Sequence, residues 1–216
     1  MIRQHRKTWY DMTTASYTTY ERPAPGGAPA PLVLAFHGTG GDEHQFAGLS
    51  AELFPQATLL NPRGDVSEGG ALRFFRRTGE GVYDMVDLAA RTDRMAAFIA
   101  DQTARLAPPR VFAYGYSNGA NILASVAFQR PDLFSAIALL HPLIPFTPQE
   151  NAGLSGLPVL ITAGRRDPIC PAPLTQSLAD WFTGQKADVE LVWHDGGHEL
   201  RQGEIQALAA FASSNL

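Results

Sequence analysis

Ser117 stands between two glycines in Gly115-Tyr116-Ser117-Asn118-Gly119, with an apolar run, Val111 to Tyr114, before it and a helix-like run, Asn121 to Phe128, after it. A strand, a sharp turn and a helix in that order form a nucleophile elbow, which lifts a serine hydroxyl clear of the backbone. Serine is a weak nucleophile. It needs a base within hydrogen-bond reach and a third group to hold that base in the right tautomer. Asp167 follows the apolar run Val159 to Gly164, and His198 closes His194-Asp195-Gly196-Gly197-His198 after the run Val189 to Trp193. Each lies just past a strand-like segment, so a parallel sheet would deliver Ser117, Asp167 and His198 to one edge. His194 competes for the base role. The Gly196-Gly197 pair favours His198, because it supplies the loop that brings a following histidine over the serine. His198-Glu199 does not begin a zinc-protease motif, since position 202 is Gln202.

Acyl transfer also needs donors where negative charge develops on the substrate oxygen. The N–H of Asn118, directly after the nucleophile and at a helix N-terminus, is one candidate. Thr39, in the glycine-rich His37-Gly38-Thr39-Gly40-Gly41 that ends another apolar run, is the second. The same loop lacks both G-x-x-x-x-G-K-[ST] and G-x-G-x-x-G, which sets phosphate binding aside. Arg73, Phe74 and Phe75 lie in a long glycine-rich connection, residues 61 to 82, past another strand end. Long loops there shape sites. The Arg73-to-Arg77 cluster reads either as a solvated basic loop or as a binding element, in which Phe74 or Phe75 is expected to wall an acyl or aryl pocket while an arginine faces an anionic group. Cys170, near Asp167, reads as packing.

Around these residues, strands and helices alternate. Thr14 to Tyr20 reads as an antiparallel edge strand, and Leu32 to Phe36 as a strand buried on both faces. A helix is expected from Asp42 to Phe54, a strand over Ala57 to Leu60, and a long amphipathic helix over Val86 to Leu106. Strands follow the elbow at Ala136 to Leu140, Val159 to Gly164 and Val189 to Trp193, with helices at Pro173 to Phe182 and Glu204 to Ala212. The Pro142-to-Pro158 connection has room for a short helix. The economical arrangement is an α/β architecture, a mostly parallel doubly wound sheet with helices on both faces. The 216 residues suit one domain over 1–216, and no repeat divides them.

A formal net charge of −4 gives no electrostatic footprint for nucleic acid. The basic start, Met1 to Tyr10, leads into no apolar signal region, and no segment approaches the roughly 20 apolar residues of a membrane span. A lone cysteine cannot form an internal disulfide, in keeping with a cytoplasmic protein. The chemistry outlined needs no metal and no organic cofactor. A small-molecule ester is the expected partner, and the chain could act as a monomer or a homodimer.

Taken jointly, H-G-T-G-G-D-E at His37 to Glu43, N-P-R-G-D at Asn61 to Asp65, R-F-F-R-R at Arg73 to Arg77, G-Y-S-N-G-A-N at Gly115 to Asn121 and the Asp167 and His198 loops resemble the phospholipase/carboxylesterase family of α/β-hydrolases. They are similar in particular to its small bacterial hydroquinone-associated hydrolase branch. The resemblance runs from about Leu32 onward. It implies an α/β-hydrolase fold without a large lid domain, and a carboxylesterase with Ser117, Asp167 and His198 as its triad and Thr39 and Asn118 as oxyanion donors. Thioester, lactone or C–C bond hydrolysis would use the same triad. A non-catalytic binding protein of the same fold is the reading from another functional class.

Overall fold

The computed structural model describes residues 16–27 and 29–216, so the start at Met1 to Tyr10 and the first residues of the expected Thr14-to-Tyr20 strand lie outside the described residues. Among the described residues, seven strands form the main sheet. In chain order they are β1 (Thr19–Arg22), β2 (Leu32–Phe36), β3 (Thr58–Pro62), β8 (Val111–Tyr116), β9 (Ala136–Leu140), β10 (Pro158–Gly164) and β11 (Asp188–His194). Their spatial order is β1-β3-β2-β8-β9-β10-β11. Only β1 runs antiparallel, pairing Thr19 with Pro62 and Arg22 with Leu59. The edge strand thus lies a few residues later than its β-branched run suggests. Arg22 fixes its end by donating from Nη2 to the carbonyls of Phe54 and Ala57.

Side chains alternate across the sheet with the two-residue period of a strand. Leu32, Leu34 and Phe36 face one core layer, while Val33 and Ala35 face the other. Helices α2 (Met85–Leu106), α3 (Asn118–Gln129) and α4 (Ala172–Gly184) cover the first layer through Met95, Ile122 and Leu178. Helix α5 (Gln202–Asn215) covers the second with Leu208 and Phe211, and the short α1 (Ala47–Leu53) packs there through Leu49. Burying each such Leu or Phe contributes about 1.5–3 kcal/mol relative to leaving it exposed. Such a two-sided doubly wound sheet is the α/β-hydrolase architecture expected, without a large lid.

The connection after β3 is more ordered than its glycine content implies. It forms two hairpins, β4 (Val66–Glu68) with β5 (Ala71–Arg73) and β6 (Arg77–Gly79) with β7 (Val82–Tyr83). Helix α1 is shorter than expected because Asp42 accepts the His44 N–H at 2.9 Å and residues 43–46 form turns rather than helix. The chain steps from β2 outward to β3, then crosses back to β8 on the other side of β2. Crevices open at the carboxyl ends of strands where the winding reverses in this way.

Candidate active site

Ser117 is the single residue between the end of β8 and the start of α3. It adopts φ 54° and ψ −118°, a conformation that a non-glycine residue keeps only when its surroundings enforce it. Close approach explains the flanking glycines. A Cβ on Gly115 would lie 2.6 Å from the Gly119 carbonyl, and one on Gly119 would lie 2.3 Å from the Phe36 carbonyl oxygen. The elbow is a crossing of three backbones with no room for side chains.

The Ser117 Oγ lies 2.9 Å from His198 Nε2, and His198 Nδ1 lies 2.7 Å from Asp167 Oδ2. The other Asp167 oxygen, Oδ1, accepts the N–H groups of Ile169 and Cys170 at 2.8 and 2.9 Å. Burial pushes the Asp167 carboxyl up, but the Cys170 N–H and the hydrogen bonds of His141 and His198 outweigh it, so the group is held below its ordinary range. An ionised Asp167 accepts a hydrogen bond from the His198 Nδ1–H and leaves the Nε2 lone pair facing the serine hydroxyl. That is the tautomer a general base requires. Tyr116 steadies the histidine loop by donating its hydroxyl to the His198 carbonyl at 2.6 Å.

Thr39 and Asn118 border the same cavity as Ser117 and His198, a space of about 330 Å³. Their loops are tied down by side chains that the quoted motifs contain. His37 donates from Nδ1 to the Gly38 carbonyl and accepts the Gly64 N–H at Nε2, at 2.7 and 2.8 Å. Burial holds its proton affinity below the ordinary value, which keeps the ring neutral in that role. Glu43 is held by Arg63 through Nε at 2.5 Å and Nη2 at 2.6 Å. These contacts explain why H-G-T-G-G-D-E and N-P-R-G-D occur together. Asn121, the last residue of G-Y-S-N-G-A-N, accepts the Leu143 N–H and donates to the Tyr83 hydroxyl, bracing the far wall.

Arg73 borders the cavity, and its Nη1 donates to Thr39 Oγ1 at 3.1 Å. Phe74 and Phe75 do not border it, which corrects the expectation that they wall an acyl pocket. Phe74 is 2% exposed and Phe75 fully buried. The Phe74 ring packs against His37 and Phe36, and the Phe75 ring meets Tyr83 edge-on at 4.8 Å. Their aromatic area is removed from water by the core rather than by a ligand. The neighbouring arginines are paired, Arg76 with Asp87 and Arg77 with Glu68. A larger cleft of about 560 Å³ lies between α2 and the Phe146-to-Asn151 loop, but it contains none of the candidate catalytic residues.

His194, the competing base, does not reach Ser117. It faces Glu204, at 3.1 Å, and His141, at 3.3 Å. His141 and Glu204 escaped the sequence reading, although His141 had a usable signal. It directly follows the apolar run of β9, the same placement that marked Asp167 and His198. Cys170 is buried and donates its thiol to the His141 carbonyl at 3.2 Å, and burial pushes that thiol up.

Residues 76–203 match the dienelactone hydrolase family. The chain belongs to that family. It is 42% identical over 177 residues to MhqD of Bacillus subtilis (strain 168), provisionally named a hydrolase, covering 81% of this chain and 88% of MhqD. Among solved structures, Atu2452 of Agrobacterium tumefaciens str. C58, a protein of unknown function, superposes with a TM-score of 0.87 at 52% identity. That likeness covers 95% of this chain and all of Atu2452. The Bacillus cereus carboxylesterase gives 0.88 at 32% identity, covering 96% of this chain and 98% of the carboxylesterase. This family member is therefore an esterase-type hydrolase, in line with the resemblance drawn from its motifs. Among its described residues, no helix is long and apolar enough to cross a membrane.

Proposed function

We propose that this hydrolase is a serine carboxylesterase that cleaves small soluble carboxylic esters through an acyl-enzyme on Ser117. The observation that carries the reading is the unbroken line from Ser117 Oγ to His198 Nε2, at 2.9 Å, and from His198 Nδ1 to Asp167 Oδ2, at 2.7 Å. In the first step His198 takes the serine proton as Ser117 attacks the ester carbonyl. The oxyanion is met by the N–H groups of Asn118 and Thr39. His198 then protonates the leaving alcohol, and a water activated by the same histidine hydrolyses the acyl-enzyme.

The family's description favours one extension, because a lactone is a cyclic ester and opens by the same attack. A fluorophosphonate probe and p-nitrophenyl acetate, applied to the wild type beside Ser117→Ala, test the central assignment. Labelling and turnover are expected to vanish together in the variant. Turnover that survives Ser117→Ala removes the assignment. A panel of acyclic aryl esters against lactones then ranks the two substrate forms.

A further inference from the structure

Behind Asp167 the hydrogen bonds continue into the core. Asp167 Oδ2, which accepts the His198 Nδ1–H, also lies 2.7 Å from His141 Nδ1. On the other side of that ring, His141 Nε2 lies 3.0 Å from Glu204 Oε1. Glu204 further accepts the Thr162 hydroxyl at 2.6 Å and the Arg201 N–H at 2.8 Å. His141, Asp167 and Glu204 have side chains no more than 2% exposed.

The protons can be placed by counting donors and acceptors. Gly196 donates its N–H to His194 Nδ1 at 2.9 Å, so that nitrogen carries a lone pair and the His194 proton sits on Nε2. It is donated to Glu204 Oε2, 3.1 Å away. With that nitrogen protonated, His194 has no lone pair to offer a cation held with His141 and Glu204. With Asp167 and Glu204 both held below their ordinary carboxyl ranges, the contacts at the two His141 ring nitrogens are hydrogen bonds only if both nitrogens are protonated. The 3.3 Å approach of the His141 and His194 Nε2 atoms is then a contact of two N–H groups rather than a hydrogen bond. Burial opposes a charged ring, yet Glu204 and Asp167 outweigh it and hold the His141 proton affinity above its ordinary value. Two carboxylates and one imidazolium leave a net charge of −1 behind His198, as a lone aspartate would.

Burying three charges is a poor way to stabilise a core, since desolvation offsets most of their attraction. His141 also holds φ 52°, a strained value for a residue with a side chain. We propose that His141 is a positioning residue of the reaction: coupled to Glu204, it fixes the Asp167 carboxylate and offsets the second negative charge that would otherwise bear on His198. The His141 and His198 rings are 5.1 Å apart. Besides Asp167, Glu204, His194 and His198, the groups packed about the ring are the Tyr116 phenol, edge-on at 5.8 Å, and the Cys170 thiol. Neither adds charge at neutral pH. This inference rests on the Ser117 reading, which Ser117→Ala tests separately.

Two measurements test it. Nitrogen NMR of histidine-labelled wild-type protein is expected to show both His141 ring nitrogens protonated at pH 7, and a neutral tautomer there overturns the proposal whatever the protein's activity. In the kcat/KM profile for p-nitrophenyl acetate, His141→Gln is expected to move the acidic limb upward by about one pH unit, because two carboxylates then face His198. Adding Glu204→Gln returns the net charge to −1 and brings the limb back towards wild type. A rate loss with no movement of the limb, or a double variant that moves no closer to wild type than the single one, reduces His141 to a structural role. Should His141→Gln fail to fold, Glu204→Gln is read by NMR. It is expected to lower the pH at which His141 loses its second proton, and an unchanged titration overturns the coupling.

Discussion

The side-chain oxygen of Asn118 accepts the backbone N–H of Phe74 at 2.7 Å. This single bond ties the residue after Ser117 to the loop that places Arg73 beside Thr39. Under the proposed mechanism Asn118 then has two separable roles, one through its own N–H and one through its side chain. Asn118→Ala keeps the first and strands a buried Phe74 donor. The expected loss is about 1–3 kcal/mol in denaturant melts. A fall of roughly tenfold in kcat/KM should accompany it, as near 1.4 kcal/mol of transition-state positioning is lost. Asn118→Asp keeps the acceptor and should recover most of the stability. Equal melts for Asn118→Ala and wild type would show the tether to be idle.

Gly119 makes a sharper case, because the obstacle is backbone. Gly119→Ala would set its Cβ 2.3 Å from the Phe36 oxygen and 2.5 Å from the His37 oxygen, so β2 and α3 must move apart. Overpacking against an immovable neighbour destabilises by about 1–3 kcal/mol or more. Helix propensity alone would favour alanine here by about 1 kcal/mol. The sign of the change in the urea midpoint therefore decides between close approach and propensity.

The same contrast between local pattern and tertiary context marks what the sequence disclosed. The elbow, the order Ser117, Asp167, His198 and the parallel strands were legible because each rests on short-range pattern: apolar runs of strand length, glycines at a crossing and polar residues just past strand ends. Phe74 and Phe75 were misplaced because a loop's position past a strand end says where its backbone lies, not which way its rings turn. His141 stands just past β9, where its place is legible, but its pairing with Glu204 of α5 spans 63 positions and no local spacing announces it. His194 was drawn into that cluster rather than to Ser117 for the same reason.

Glu43 carries a pH-dependent part of the stability. Hydrogen bonds from the Arg63 guanidinium hold its carboxyl down to about 2, against an ordinary 4.5. A carboxyl depressed by folding stabilises the native state fully above its unfolded value and loses that contribution as pH falls through the folded one. The window is therefore about pH 4.5 down to 2. Arg63→Gln removes the partner while Glu43 stays buried, so the acid-unfolding midpoint followed by circular dichroism should rise by about 0.5 on the pH scale. An unchanged midpoint would mean that this bidentate pair contributes nothing to acid resistance.

Arg73 and Phe75 are two residues apart and should fail in different ways. Phe75 is fully buried against Tyr83, so Phe75→Ala is expected to lower stability by about 3–5 kcal/mol while leaving the ratio of rates on different esters unchanged. Arg73 is 4% exposed, borders the cavity and shares Glu68 with Arg77, so its cation is buried at the edge of the site. A carboxylate on the substrate would meet that guanidinium with charge-assisted hydrogen bonds of about 1.5–3 kcal/mol. Arg73→Gln is thus expected to reduce kcat/KM for a carboxylate-bearing aryl ester by about tenfold or more relative to its neutral counterpart. Matched losses on the two esters would confine Arg73 to holding Thr39 in place, through the 3.1 Å bond from its Nη1 to the threonine hydroxyl.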